Sequence, residues 1–189
     1  MIHLKLSKSY IETPIYTLSI YCRINIVMGD SGTGKTHFFN ALSNAIEGIN
    51  PWEYECNTEV IAISTISSFK EAIKNKQNTL IVIDETTIQN IRKQGLLNLI
   101  MESKNYFVLL DRQTTVKCET NIKALFEINS KNIDGERIFT FENVIKTEDK
   151  SKVQFDDKIK YIVTEDTKEM LLCNKFESLN QFRDRNKNK

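Results

Sequence analysis

The residues of this chain best equipped for chemistry lie between Gly29 and Thr36, where glycines at 29, 32 and 34 precede Lys35 and Thr36 in the spacing G-x-x-x-x-G-K-T. Glycines let a backbone take positive φ and turn successive N–H groups toward one point. A helix starting just after them adds the positive end of its dipole. Such a turn suits phosphate. Lys35 supplies a mobile positive charge for the β- and γ-phosphates of a nucleotide, and Thr36 offers its hydroxyl to Mg²⁺. The expected cofactor-binding residues are Gly29, Asp30, Ser31, Gly32, Thr33, Gly34, Lys35, Thr36 and His37. The second candidate is the pair Asp84 and Glu85, which ends the aliphatic run Leu80-Ile81-Val82-Ile83. In a parallel α/β sheet ligands bind at the C-terminal ends of strands, so this pair can face the loop.

These residues need a strand before the loop, a helix after it and a second buried strand nearby. Ile24 to Met28 is a short apolar run ending at glycine, and Phe38, Ala41, Leu42, Ala45 and Ile46 recur at helical intervals before Gly48. Four consecutive aliphatic residues at 80–83 read as a strand buried on both faces. Ile2 to Leu6 and Tyr16 to Ile20 alternate apolar and polar residues on either side of a turn near Pro14, which predicts a hairpin ahead of the loop strand. Asn50 to Tyr54 reads as an exposed connection, Glu59 to Ser64 as a strand, and Ser68-Phe69-Lys70-Glu71 as a capping box opening a short helix. A helix interrupted near Gly95 and a buried strand at Tyr106 to Leu110 follow. Beyond Thr115 the pattern predicts a short helix at 122–128, strands at 137–141 and 160–163, and an amphipathic helix from Thr167 with a basic end. The acidic pairs Glu148-Asp149 and Glu165-Asp166 read as solvated turns.

A length of 189 residues suits one domain, organised as a hairpin over 1–21, a nucleotide-binding core over 22–115 and C-terminal strands with a helix over 116–189. A formal charge of +1 names no partner. No apolar run reaches the roughly 20 residues of a membrane-spanning helix, and the first residues lack a secretory signal, so the expected location is cytoplasmic. Cys22, Cys56, Cys118 and Cys173 are too dispersed for a zinc site or a disulfide framework.

With these motifs the chain resembles the P-loop NTPase superfamily over about its first two thirds, Gly29 to Thr36 matching Walker A and Leu80 to Asp84 matching Walker B. The acid directly after the aspartate is similar to the catalytic glutamate of the additional-strand branch, which holds the AAA+, ABC and RecA-like ATPases. The resemblance implies an α/β fold: a mainly parallel sheet flanked by helices, with the N-terminal hairpin and extra C-terminal strands added. It implies that Asp84 supports Mg²⁺ and that Glu85 polarises the attacking water. It also places Asp111, Arg112 and Gln113 where a phosphate sensor sits, with Arg112 either sensing phosphate, reaching a neighbouring subunit or pairing with Asp111 or Glu85. The catalytic set is thus Lys35, Glu85 and Arg112, and the metal set Thr36 and Asp84. About fifty residues between the two motifs leave little room for an ABC helical subdomain, and no LSGGQ-like signature precedes Asp84.

The expected function is Mg²⁺-dependent binding and hydrolysis of ATP by a switch or motor-type domain. It would act on a protein or nucleic-acid partner, with ATP-dependent self-association. A small-molecule or nucleotide kinase is the alternative that Asp111-Arg112 favours, and a nucleotide-dependent module with little turnover is the third. Tyr10 or Tyr16 is the candidate for stacking on the base.

Overall fold

The computed structural model describes residues 1–29, 32–112, 124–133 and 135–144. Asp30, Ser31 and Gln113, the expected strand at 160–163, the two acidic pairs and the C-terminal helix lie outside the described residues.

Alternating side chains build the first hairpin. In β1 (Ile2–Lys8) and β2 (Tyr16–Ile20) the residues Ile2, Leu4, Leu6, Tyr16, Leu18 and Ile20 are buried while their neighbours face outward, and the two strands pair antiparallel with Ile2 opposite Ile20. β3 (Ile24–Met28) is buried along its whole length and runs into the glycine loop. The helix after the loop, α1 (Lys35–Ile46), buries Phe38, Phe39, Ala41, Leu42 and Ala45. It ends in a Schellman motif: Gly48 has φ 70°, its N–H donates to Ala45 and that of Ile49 donates to Asn44.

The segment expected as a connection is a strand, β4 (Trp52–Cys56), paired antiparallel with β1 at the edge of the sheet. β5 (Val60–Ile63) leads into α2 (Ile66–Asn75), whose N-cap is Thr65, accepting from the Ser68 N–H at 3.2 Å. The helix therefore begins before the predicted Ser68 cap, because Thr65 already satisfies the first-turn N–H. β6 (Leu80–Ile83) is wholly buried and passes directly into α3 (Glu85–Lys93). Gly95, at φ 68°, ends α3 before α4 (Leu97–Glu102), as its position in the sequence predicts. Arg23 fastens α4 by donating to the carbonyls of Ile100, Met101 and Ser103. β7 (Tyr106–Leu110) follows. β8 (Leu125–Ile133) and β9 (Glu136–Asn143) then form a hairpin, so the short helix expected at 122–128 is a strand from Leu125 onward.

The nine strands form a single sheet in the order β4-β1-β2-β9-β8-β3-β7-β6-β5. Five of its strand interfaces are parallel and three antiparallel. Both edge strands, β4 and β5, pack on α1, so the sheet bends round this helix toward a nearly closed barrel. The expectation of a mainly parallel sheet flanked by helices is corrected accordingly. The sheet is mixed and curled, because two antiparallel hairpins and the edge strand β4 are built into it. Four helices are present among the described residues. The resemblance to the P-loop NTPase superfamily and its additional-strand branch, which implied the parallel architecture, is overturned with it.

Two apolar layers cover the sheet. One contains α1 and side chains such as Val27, Leu80, Val82, Val108, Phe126 and Phe139; the other contains Ile26, Ile81, Ile83, Phe107 and Leu109 with α2, α3 and α4. Asp111, 1% exposed at the end of β7, pairs with Arg92 of α3 and also accepts the Arg112 N–H at 2.8 Å. Removing one partner of a buried ion pair leaves the other's charge without compensation. Arg92→Ala should therefore cost about 3 kcal/mol, the low end of such losses because one backbone bond to Asp111 remains. Urea unfolding of the two proteins measures it, and an unchanged midpoint would show that the pair does not hold α3 to the sheet.

Candidate functional site

The loop has the backbone form that its glycines permit. Gly29, Gly32 and Gly34 have φ of 143°, 88° and 103°, conformations that side-chain-bearing residues rarely adopt. Space is also tight at Gly34, since a Cβ there would lie 3.1 Å from the ring of Phe139. α1 starts at the next residue. Lys35 is 6% exposed and its Nζ donates to the Gly29 carbonyl and, at 3.3 Å, to Thr33 Oγ1, which draws the ammonium back across the loop.

The loop opens into a cavity of about 470 Å³. That volume lies within the usual range of small-molecule sites, roughly 300–1,000 Å³. Gly32, Thr33, Gly34, Lys35, Thr36 and His37 form one wall, and Glu85 and Arg112 reach it from the ends of β6 and β7. Three separate sequence predictions therefore converge on one space. Arg112 Nε lies 2.6 Å from Glu85 Oε1, so of the readings open for Arg112 the structure displays the pairing with Glu85, within one chain. Asp111 is engaged by Arg92 instead. Gly29 and Asp84 are not on the cavity wall. Asp84 serves as N-cap of α3, its Oδ1 accepting from the Thr87 N–H at 3.1 Å, while its second carboxylate oxygen is outside that bond.

The rest of the lining was not anticipated. It consists of Lys8 and Ile15 from the first hairpin and Glu136, Arg137 and Phe139 from β9. Lys8 pairs with Glu136 at 3.0 Å, and that hydrogen bond holds the lysine above its ordinary pKa. Phe139 stacks on Tyr16 with centroids 4.6 Å apart and an interplanar angle of 12°, and the Arg137 guanidinium lies 5.1 Å over the Phe139 ring. Tyr16 is buried in this stack and is not available to a base. Tyr10 is exposed beyond the cavity wall, with Lys8 over its ring. The sequence signal for this wall was Asp134-Gly135, a dipeptide favoured in two-residue hairpin turns: Gly135 has φ 83° and Ile133 pairs with Glu136 across it.

His37 links the walls through a hydrogen bond between its Nδ1 and the Tyr16 hydroxyl. Burial raises the tyrosine pKa, keeping the donor protonated. Burial, followed by the positive charges of Lys8 and Arg137, lowers the pKa of His37, so the imidazole is neutral and can accept.

Neither a family model nor a curated protein matches this chain. The fit of a magnesium-bound triphosphate is therefore judged on the site alone. The positive-φ glycine cradle, the lysine across it and the excess of cations on the walls suit a phosphate chain. No cluster of three or more His, Cys, Asp or Glu that could hold a metal occurs among the described residues.

The depressed His37 pKa sets a pH dependence. Its neutral form is favoured in the fold, so its contribution is complete above the unfolded imidazole pKa of about 6.5 and is lost as pH falls through the lower folded value. Urea midpoints at about pH 7.5 and about pH 5.5 should fall more on acidification in the native protein than in His37→Gln. Equal falls in the two proteins would exclude His37 as the source.

Proposed function

We propose that this chain binds a nucleoside triphosphate, ATP by preference, with Mg²⁺ and hydrolyses it as a switch or motor-type element acting on a protein or nucleic-acid partner. The observation that carries this reading is the loop from Gly29 to Thr36. Three of its glycines stand at positive φ beneath Lys35, and it opens on a cavity holding the Glu85 carboxylate. In this reading the loop N–H groups and Lys35 bind the phosphates, Lys35 exchanging the Gly29 carbonyl for phosphate oxygens. Thr36 would hold Mg²⁺ at the cavity and Asp84, set back from the wall, would support it through the ion's water shell; the ion would supply charge neutralisation on the phosphate chain.

Glu85 orients the attacking water and accepts its proton, and for that its carboxylate must first be released from Arg112. A γ-phosphate is a competing anion for the same guanidinium. Arg112 would then stabilise charge on the phosphate while Glu85 turns to the water, so binding and activation are coupled through one ion pair. No helix among the described residues is long and apolar enough to cross a membrane. We place the protein in the cytoplasm, a reducing compartment that suits a thiol such as that of Cys56. Nucleotide-dependent self-association belongs to the same reading.

Lys35→Ala should lose triphosphate binding, at least tenfold in affinity, because it deletes the cation of the cradle. Glu85→Gln should keep binding and lose roughly 10²-fold in turnover, a usual loss for a general base. Fluorescent-ATP titration and phosphate release on the three proteins check this. Native affinity in Lys35→Ala overturns the phosphate site, and native turnover in Glu85→Gln removes Glu85 from the chemistry.

A further inference from the structure

The cavity wall beside the phosphate loop is a built stack. Tyr16 is its base, 1% exposed, Phe139 lies flat on Tyr16, and the Arg137 guanidinium lies over Phe139. Arg137 is fixed there by a hydrogen bond from its Nε to Ser130 Oγ at 2.9 Å, across the β8–β9 hairpin. The stack adjoins the loop, since Phe139 touches the space above Gly34, and Arg137 lies one layer farther out. Both rims of this end of the cavity are polar: Lys8 and Glu136, bonded to each other, present a donor and an acceptor beside Arg137.

A planar guanidinium stacks on aromatic faces and leaves its second face for another flat π-system. We propose that Arg137 is the platform for the nucleobase, which adds a fourth layer to the Tyr16–Phe139–Arg137 stack while the Lys8–Glu136 pair meets the polar edge of the base. The proposal rests on the phosphate-loop reading and deepens it, because a triphosphate seated on the loop directs its ribose and base along the cavity. It also explains a charged residue held over Phe139, where a cation needed for phosphate alone would not require a flat ring beneath it. Stacking is tolerant of base identity, so discrimination among bases falls to Lys8 and Glu136.

The test compares ATP with inorganic tripolyphosphate, which has the phosphates without the base, on the full chain. Arg137→Ala should weaken ATP roughly tenfold, within the range for loss of one stacked base, and leave tripolyphosphate affinity unchanged. Arg137→Lys keeps the charge and loses the plane, so it should behave like Arg137→Ala. Equal losses for both ligands in Arg137→Ala, restored by Arg137→Lys, would make Arg137 a phosphate contact and overturn the proposal. Unchanged ATP affinity in both variants would also overturn it. If the native protein binds neither ligand, the phosphate-loop reading itself fails and the base platform falls with it; if it binds both equally, the loop stands and the platform does not.

Discussion

The contact on which this arrangement most depends is that of Phe139 with Tyr16 on one side and the space above Gly34 on the other. It joins the β8–β9 hairpin, the first hairpin and the glycine loop at a single ring. Its placement requires β2 and β9 to pair with Tyr16 opposite Phe139 and Thr17 opposite Thr140. Because side chains alternate along a strand, a slip of one residue would present Ile138 or Thr140 to the loop and turn Phe139 away. Tyr16 carries the constraint onward through its hydroxyl to His37 in the first turn of α1. The loop is thus held between the helix it starts and a strand more than a hundred residues later in the chain.

A second set of constraints places the charged groups. Asp84 caps α3, and Glu85 is that helix's first residue, so the direction of the Glu85 side chain is tied to where α3 begins. The same helix carries Arg92, which holds Asp111 at the end of β7, and Arg112 is the next residue along. α3 and β7 are therefore joined at two points, a buried pair below and the Glu85–Arg112 pair at the cavity. Arg112 is 56% exposed and Glu85 23%, so an incoming anion can compete for the upper pair without disturbing the lower.

Local pattern made about half of this legible. Continuous aliphatic runs identified β3, β6 and β7, glycines at positive φ marked the loop and the ends of α1 and α3, and alternation identified the first hairpin. Each of these signals lies within a few residues of what it predicts. The mixed, curled sheet was not legible, because antiparallel partners and edge strands are set by pairings far apart in the chain. β4 lacks a buried stripe, with Glu53, Tyr54 and Glu55 all exposed, so its sequence carries no period to read. In β8 the buried cluster Ala124, Leu125, Phe126 and Ile128 is compatible with a short helix, and the turn dipeptide beyond it was the better signal. Of the candidate site, Lys35, Thr36, Glu85 and Arg112 were legible as chemistry; Lys8, Glu136, Arg137 and Phe139 were not, since in sequence each is an ordinary strand residue.

The charge of the cavity shows why composition was silent about a ligand. Over the whole chain the formal charge is +1, which favours no class of partner. Among the described residues around the cavity, Lys8, Lys35, Arg112 and Arg137 face Glu85 and Glu136, with a neutral His37, so the described cations exceed the described acids by two. Both acids are already paired, Glu85 with Arg112 and Glu136 with Lys8. Among the described residues, an anion entering the cavity therefore meets no carboxylate without a cation beside it, and low-dielectric walls focus the remaining positive field upon it. The excess comes from four separate elements of structure, the end of β1, the start of α1, the segment after β7 and the start of β9. It exists only when the curled sheet brings them together, so the same folding that hides the far wall from the sequence also creates the electrostatic case for a phosphorylated ligand.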